Sequence, residues 1–377
     1  SYSVSTAEME GLNPPATRTS QSPAREPYRF ISALITVHDS HTRLHGKLKA
    51  IEEEFDNSPL NEVWGSGRTG VIATGMVYTK FKEAVEGADL TGIQALKLNT
   101  LYPLPAETIG NFMKSCDRII VLEEVDPYLE DAIKVIGYDA GATARIHGKR
   151  TGHVNWEGEL FRWHIQRTIS EYVPDFSPNE TFTEENWEAE RPFRKAHCAG
   201  CPYVEVIKAF REVAQELGQN PFLSADPGCV VMAAKYLDTK LCFGSAIGVA
   251  SGMQAAGVNE RTVAICGDSA FYHAAMNGII QARATDSNSI VMVLDNGGAV
   301  TTGGQPTPDR GIKIKDGSAN LVGIQEISAV LGVNPIWIVE DEDTDEQMRK
   351  TFKEALKNDS FSMIIVKKYD CHVSNKR

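Results

Sequence analysis

Apolar positions along the chain change period several times, and each change marks an element. Leu44, Leu48, Ile51 and Phe55 recur at helical spacing within ITVHDSHTRLHGKLKAIEEEF (residues 35–55), and the breaker DNSPLN follows. This predicts one amphipathic helix in a lead-in over 28–58. Over 59–150 short apolar runs alternate with helical patterns: GVIATG, IQALKL and RIIVLEEV read as strands, and VYTKFKEAVEGA, ETIGNFMKSC and YLEDAIKVIG as helices. Such alternation predicts a parallel-sheet α/β domain.

Residues 151–194 contain Trp156, Trp163 and Trp187, several prolines and many charges without clear period, and read as a linker or crossover. A second α/β unit is expected over 195–377. Its strands are FLSAD, KLCFG, TVAICGD, SIVMVLDN, PIWIVE and FSMIIVKK, with helices such as PYVEVIKAFREVAQELG and AIGVASGMQAAG between them. Near-continuous Val, Ile and Leu runs suit strands buried on both faces. Residues 1–27, rich in Ser, Thr and Pro, lack the large apolar side chains needed to fold alone and read as a tail.

Composition narrows the function classes. With 42% hydrophobic and 23% charged residues the chain is ordinary globular protein, and a formal net charge of −12 argues against nucleic acid or anionic membrane as the main partner. No run approaches the roughly 20 apolar residues of a membrane span. The seven cysteines are an odd number in a long chain without a signal-type segment, so reduced thiols in the cytoplasm are expected rather than a disulfide framework.

Three motifs invite chemistry. GSGRTG (65–70) formally fits a dinucleotide fingerprint, but the strand comes after it instead of before, so it reads as a loop. HCAGC (197–201) pairs two thiols that suit zinc, a redox dithiol, a small disulfide or one side of an iron-sulfur cluster. In CGDSAFYHAAMNGIIQARATDSNSIVMVLDN (266–296), Asp268 ends one apolar strand and Asn296 the next, with a helix between. Both side chains then project at the carboxyl edge of a parallel sheet, where open α/β folds bind ligands. A carboxylate, an amide oxygen and a backbone carbonyl suit Mg²⁺ carrying a diphosphate, and the helix start offers N–H groups to phosphate. The alternative is a common strand-turn-helix with a capping Asp. The acidic run EDEDTDEQ (340–347) reads as a solvated helix start.

Gly-Asp-Ser followed by 26 residues and then Asn resembles the diphosphate-binding motif of thiamine-diphosphate enzymes. The segments SADPGC, CFGSAIGVASGM, GDSAFYH and DNGGAVTTGGQPTP stand in the order of corresponding segments in the 2-oxoacid:ferredoxin oxidoreductases, most like the arylpyruvate branch. NSPLN, GVIATGMVYTKFKEAV, LYPLP and IIVLEEVDPYLED are similar to that branch's transketolase C-terminal-like domain, so the resemblance covers roughly 35–373. It implies two parallel-sheet, three-layer α/β domains, transketolase C-terminal-like and then thiamine-diphosphate-binding. It also implies Mg²⁺ ligands Asp268, Asn296 and the carbonyl of Gly298, with Gly244, Ser245, Gly267, Ser269 and Ala270 at the cofactor. His273 and Gln305 are candidates for substrate or cofactor contacts, and His197 is a weaker one.

In cluster-bearing members of this superfamily a [4Fe-4S] centre beside the thiamine is held by a C-x-x-C and two later cysteines. Cys198, Cys201, Cys229 and Cys371 occupy those places, and a Cys₄ zinc site is the rival. Cys116, Cys242 and Cys266 sit in apolar runs and read as core residues. Ala199 stands where the arylpyruvate branch often has Pro.

The resemblance implies the catalytic subunit of a heteromeric 2-oxoacid oxidoreductase. It would decarboxylate a 2-oxoacid oxidatively, with CoA accepting the acyl group and electrons leaving through the cluster to a ferredoxin or ferredoxin-like subunit, in an anaerobic setting. The branch points to an aryl substrate, with pyruvate, oxalate-like and branched-chain acids open. No aminopyrimidine-binding domain precedes the matched segments, so a partner subunit is expected to supply it and this chain alone to be inactive. The rivals are a non-redox thiamine decarboxylase or lyase, and a non-catalytic scaffold holding zinc.

Overall fold

A computed structural model describes residues 31–186, 201–310 and 321–368. The chain divides into two compact units, Ser1–Phe193 and Arg194–Arg377.

The first unit opens with α1 (Leu34–Asp56) and continues through β1 (Glu62–Gly65), β2 (Thr69–Thr74), α2 (Gly75–Ala84), β3 (Ile93–Leu98), α3 (Ala106–Lys114), β4 (Arg118–Leu122), α4 (Tyr128–Ala140), β5 (Arg145–His147) and α5 (Arg162–Ser170). Its sheet runs β1-β3-β2-β4-β5, parallel except for β1, which pairs antiparallel with β3. Alternation along the strands supplies both faces: Val71 and Ala73 of β2 pack with α2 and α5, while Ile72 packs with α3 and α4. Glu123, at the end of β4, accepts the N–H groups of Leu129 and Glu130 at 2.7 and 2.9 Å and so caps α4.

One expectation changes here. Val154, Leu160, Ile165, Ile169 and Val173 are buried in the core that α2 covers, so this part of 151–194 belongs to the first unit instead of linking it onward. Aperiodic charges around a single-turn apolar stripe hid the α5 pattern. GSGRTG is a tight loop between β1 and β2; a Cβ on Gly67 would fall 1.9 Å from the Gly92 carbonyl, so close backbone approach, not phosphate, requires that glycine.

The second unit contains α6 (Pro202–Glu216), β6 (Phe222–Ala225), a 3-10 turn (Cys229–Tyr236), β7 (Thr239–Lys240), α7 (Ser245–Ala255), β8 (Thr262–Gly267), α8 (Asp268–Ala270), α9 (Met276–Ala284), β9 (Ile290–Asp295), α10 (Ile324–Val330), β10 (Ile336–Val339), α11 (Asp345–Lys357) and β11 (Ser362–Lys367). All strands are parallel in the order β10-β11-β9-β8-β6-β7. Val263 and Ile265 of β8 face the core under α6 and α11, and Ala264 and Cys266 face the one under α7 and α9. Each unit is thus a three-layer α/β structure. The acidic run does open a helix: Thr344 accepts the Gln347 N–H at 3.3 Å, and Asp345 and Glu346 fill the first turn of α11.

KLCFG is corrected. Only Thr239–Lys240 form a strand, and Leu241 (59% exposed) and Phe243 (46%) lie on the following turn with Cys242, which is exposed, unlike the buried Cys116 and Cys266. No helix among the described residues is long and apolar enough to cross a membrane.

Candidate functional site

The chain leaves β6 for its neighbour β7 on one side and leaves β8 for β9 on the other, so the strand order reverses between β6 and β8. Open parallel sheets bind ligands beyond the carboxyl ends of strands at such a point. A cleft opens there, lined from the end of β6 by Pro227, Gly228, Cys229 and Val230, from β8 by Gly267, Asp268, Ser269 and Ala270, and from β9 by Leu294, Asn296 and Gly298–Thr302, with Tyr203 and Phe243 at its sides.

Asp268 is the first residue of a continuous helical segment made of α8, a π turn (Phe271–Ala275) and α9. π turns inside α-helices recur at functional sites. The carboxylate is 2% exposed; its Oδ1 accepts the Ser269 N–H at 2.6 Å and its Oδ2 the Gly298 N–H at 2.7 Å. Burial, with the nearby negative charges of Asp295 and Asp309, pushes its pKa up to about 7 against the pull of those two N–H groups. A buried carboxylate raised by other carboxylates is suited to a cation. Asn296, 6% exposed, turns Nδ2 toward Cys229 Sγ at 3.6 Å. Asp268, Asn296 and Gly298 thus share one cleft, and a carboxylate, an amide oxygen and a backbone carbonyl are donor types that suit Mg²⁺.

Gly244 and Ser245 are set by Asp226, which the sequence reading passed over inside SADPGC. Asp226 is 1% exposed at the end of β6; its carboxylate accepts the N–H groups of Gly244 and Ala246, both at 2.9 Å, and the Ser245 hydroxyl at 3.4 Å. It therefore caps α7 from another strand. Gly244 adopts φ +81°, and a Cβ there would lie 2.9 Å from the Ala274 Cβ, so the turn admits only glycine without strain. The sequence signal was an acidic residue at a strand end before Pro-Gly. Asp226→Ala is expected to destabilise the second unit by about 2 kcal/mol, the effect of losing a helix cap and its buried partners; thermal unfolding of the cofactor-free chain checks it.

Gly267, Ser269 and Ala270 line the cleft. His273 and Gln305 do not: His273 is exposed and stacks edge-on against Phe243 at 5.7 Å, while Gln305 is exposed and ties its own turn, accepting the Thr302 hydroxyl at 2.7 Å and donating to the Thr302 carbonyl at 2.8 Å. Of the four cluster cysteines, Cys201 and Cys229 lie in one apolar cluster of the second unit, Cys201 at the start of α6 and Cys229 on the 3-10 turn. Cys198 and Cys371, with His197, lie outside the described residues. Among the described residues no group of three or more His, Cys, Asp or Glu is arranged to hold a metal ion.

Residues 226–366, which carry the cleft at the switch point, match the family described as "Thiamine pyrophosphate enzyme, C-terminal TPP binding domain". Residues 62–170 match the family described as "Indolepyruvate oxidoreductase domain". Across both units the chain is similar to the indolepyruvate oxidoreductase subunits IorA. It is 30% identical to that of Archaeoglobus fulgidus over 332 residues, covering 85% of this chain and 52% of the relative. It is also 30% identical to that of Methanothermobacter thermautotrophicus over 365 residues, covering 93% and 57%. The chain thus spans about half the length of the curated relatives it matches. Among solved structures, a 2-oxoglutarate:ferredoxin oxidoreductase from Magnetococcus marinus covers 48% of this chain and 65% of its own at 19% identity and a TM-score of 0.42, a likeness too slight to carry an argument.

Proposed function

We propose that this chain is the thiamine-diphosphate-binding, catalytic subunit of a heteromeric 2-oxoacid oxidoreductase that decarboxylates an aryl 2-oxoacid oxidatively, with CoA as acyl acceptor. The observation that carries the reading is the meeting of Asn296 and Cys229 across one cleft. It brings an expected Mg²⁺ ligand beside an expected cluster ligand, which is where an electron acceptor for thiamine chemistry has to stand. The names of the relatives, indolepyruvate oxidoreductase subunits, support the reaction class and the substrate class.

Thiamine diphosphate, when bound, supplies the electron sink for loss of CO₂ from a 2-oxoacid. The chain's own residues bind and orient it. Asp268, Asn296 and the Gly298 carbonyl would hold the cation, whose charge removes the penalty on the buried Asp268 carboxylate. Amides at the start of the α8 segment would offer their N–H groups, at the positive end of the helix, to the phosphates. Asp226 fixes the Gly244–Ser245 turn, whose residues would contact the same cofactor. Tyr203, Val230 and Leu294 make the cleft wall apolar, which excludes water and strengthens every polar contact inside it. Cys198, Cys201, Cys229 and Cys371 would hold one [4Fe-4S] cluster, and a partner subunit would bring the aminopyrimidine-facing residues, with a ferredoxin-like carrier taking the electrons.

Anaerobic purification of the native complex, followed by iron, sulfide and visible-absorption measurements, tests this. Brown protein with about four irons per copy of this chain attributable to the proximal site is expected, since a cubane of this kind takes four thiolates. Cys201→Ser and Cys229→Ser should each lose that iron. A colourless, iron-free complex that still turns over a 2-oxoacid would leave a non-redox thiamine lyase instead.

A further inference from the structure

Helix α1 presents a second arrangement of donor atoms, unused by the thiamine reading. Its sequence HDSHTRLH places His41 and His45 one turn apart. Their Nε2 atoms are 3.0 Å apart, and the two rings, both exposed, meet edge to face with centroids 4.3 Å apart. Residues four apart on a helix are surface neighbours, so the spacing is a property of the backbone and needs no help from the rest of the fold.

The separation can be compared with what a cation requires. Two metal–nitrogen bonds of about 2.0–2.1 Å meeting at about 90–110° set their nitrogens about 2.9–3.4 Å apart. The observed value falls inside that window. With both rings neutral the same geometry is spanned by one N–H···N hydrogen bond. When a cation takes the place of that proton, the donating ring moves its N–H to Nδ1, and no net proton is released. The base of the helix is anchored, with Leu48, Ile51 and Phe55 half-buried, so the pair sits on a formed helix before any ligand arrives.

We propose that His41 and His45 form an open, two-imidazole site for a late first-row divalent ion, with preference Cu²⁺ over Ni²⁺ and Zn²⁺. Imidazole nitrogen sets the class: it favours these borderline ions in that order and rejects Mg²⁺ and Ca²⁺, which want oxygen. Two protein ligands leave the other positions to water or to groups of another molecule, so the ion is exchangeable. His38 stands outside the pair, its Nδ1 3.5 Å from Asp39 Oδ1. A superficially similar group in the same unit does not qualify. His147 Nδ1 lies 3.1 Å from His153 Nε2 and 2.8 Å from the Tyr172 hydroxyl, but the positive charges of Arg118 and Arg145 act on that histidine and oppose a cation.

The probe is the Cu²⁺–nitrilotriacetate complex, which shields the metal from thiols and leaves two adjacent positions open. Titrated into the untagged full chain in excess Mg²⁺ and followed by electron paramagnetic resonance, it should saturate at one equivalent with a spectrum showing two imidazole nitrogens. His41→Gln and His45→Gln should each weaken binding by more than about tenfold, at least the lower bound of what loss of an outer-shell partner costs. His38→Gln and His153→Gln should bind as the parent does. His38, His41 and His45 lie on α1 and His153 on the loop between β5 and α5, and circular dichroism confirms that each variant is folded. No two-nitrogen signal from the parent, or parental binding by either His41→Gln or His45→Gln, overturns the proposal.

Discussion

Asp268→Asn should abolish thiamine-diphosphate binding in the presence of Mg²⁺, weakening it by more than about a hundredfold, because even outer-shell partners of a metal cost about 10–100-fold. Turnover of the assembled enzyme should fall with it. The fold should survive. In the cofactor-free chain this carboxylate is buried and raised to about 7 by desolvation and by Asp295 and Asp309, so removing its charge relieves a penalty. The amide oxygen still accepts from Ser269 or Gly298, although it serves one of the two N–H groups where the carboxylate serves both. Calorimetric titration with the cofactor and Mg²⁺, alongside thermal unfolding of both proteins, separates the effects. Unchanged cofactor affinity in a folded Asp268→Asn protein would remove Asp268 from the cation site and with it the main support for the proposed function.

A large pH effect is expected in the first unit. His164 is 6% exposed within α5, and burial lowers its pKa to about 4, helped by the positive charges of Arg167, Lys149 and Lys80. Its Nδ1 accepts the Phe161 N–H at 3.1 Å, which requires that nitrogen to be unprotonated. Above the unfolded value near 6.5 both states are neutral, so the group contributes no pH dependence. As pH falls from 6.5 toward 4 the unfolded chain takes up a proton that the folded chain refuses, and stability is lost. The loss is about 2 kcal/mol by pH 5 and about 3 kcal/mol by pH 4. His164→Asn keeps an acceptor near the Nδ1 position and cannot titrate. The stability gap between parent and variant, read from urea midpoints, should therefore shift by about 2 kcal/mol in the variant's favour between pH 7.5 and pH 5. Taking the difference cancels the raised carboxylates Glu123, Asp226 and Asp268, which act with the opposite sign. A gap that does not move with pH would sink the assignment.

How much of this was legible beforehand depends on the range of the signal. The strands β2, β3, β4, β8, β9 and β11 were readable because strands covered on both faces are nearly pure apolar runs, and the helices between them carry a clear 3.6-residue stripe. The placement of Asp268 and Asn296 followed directly, since each is the polar residue that ends such a run. Cys242 was misread for the same reason that Cys266 was read correctly: both have apolar neighbours, but Leu241 and Phe243 lie exposed on a turn, whereas Cys266 is inside β8. Short β1, β5 and β7 were missed or misjudged because two to four residues cannot display a period.

The sequence by itself determined the alternation of elements, the two α/β units, and the donors at the ends of β8 and β9, because each is written in local periodicity and in residues that stop it. Only the tertiary structure decided that β6 lies beside β8. That pairing delivers Cys229 to Asn296 across 67 residues of chain and lets Asp226 cap a helix from 18 residues away. Pairing between parallel strands is settled by long-range packing of whole faces, which no short window of sequence contains.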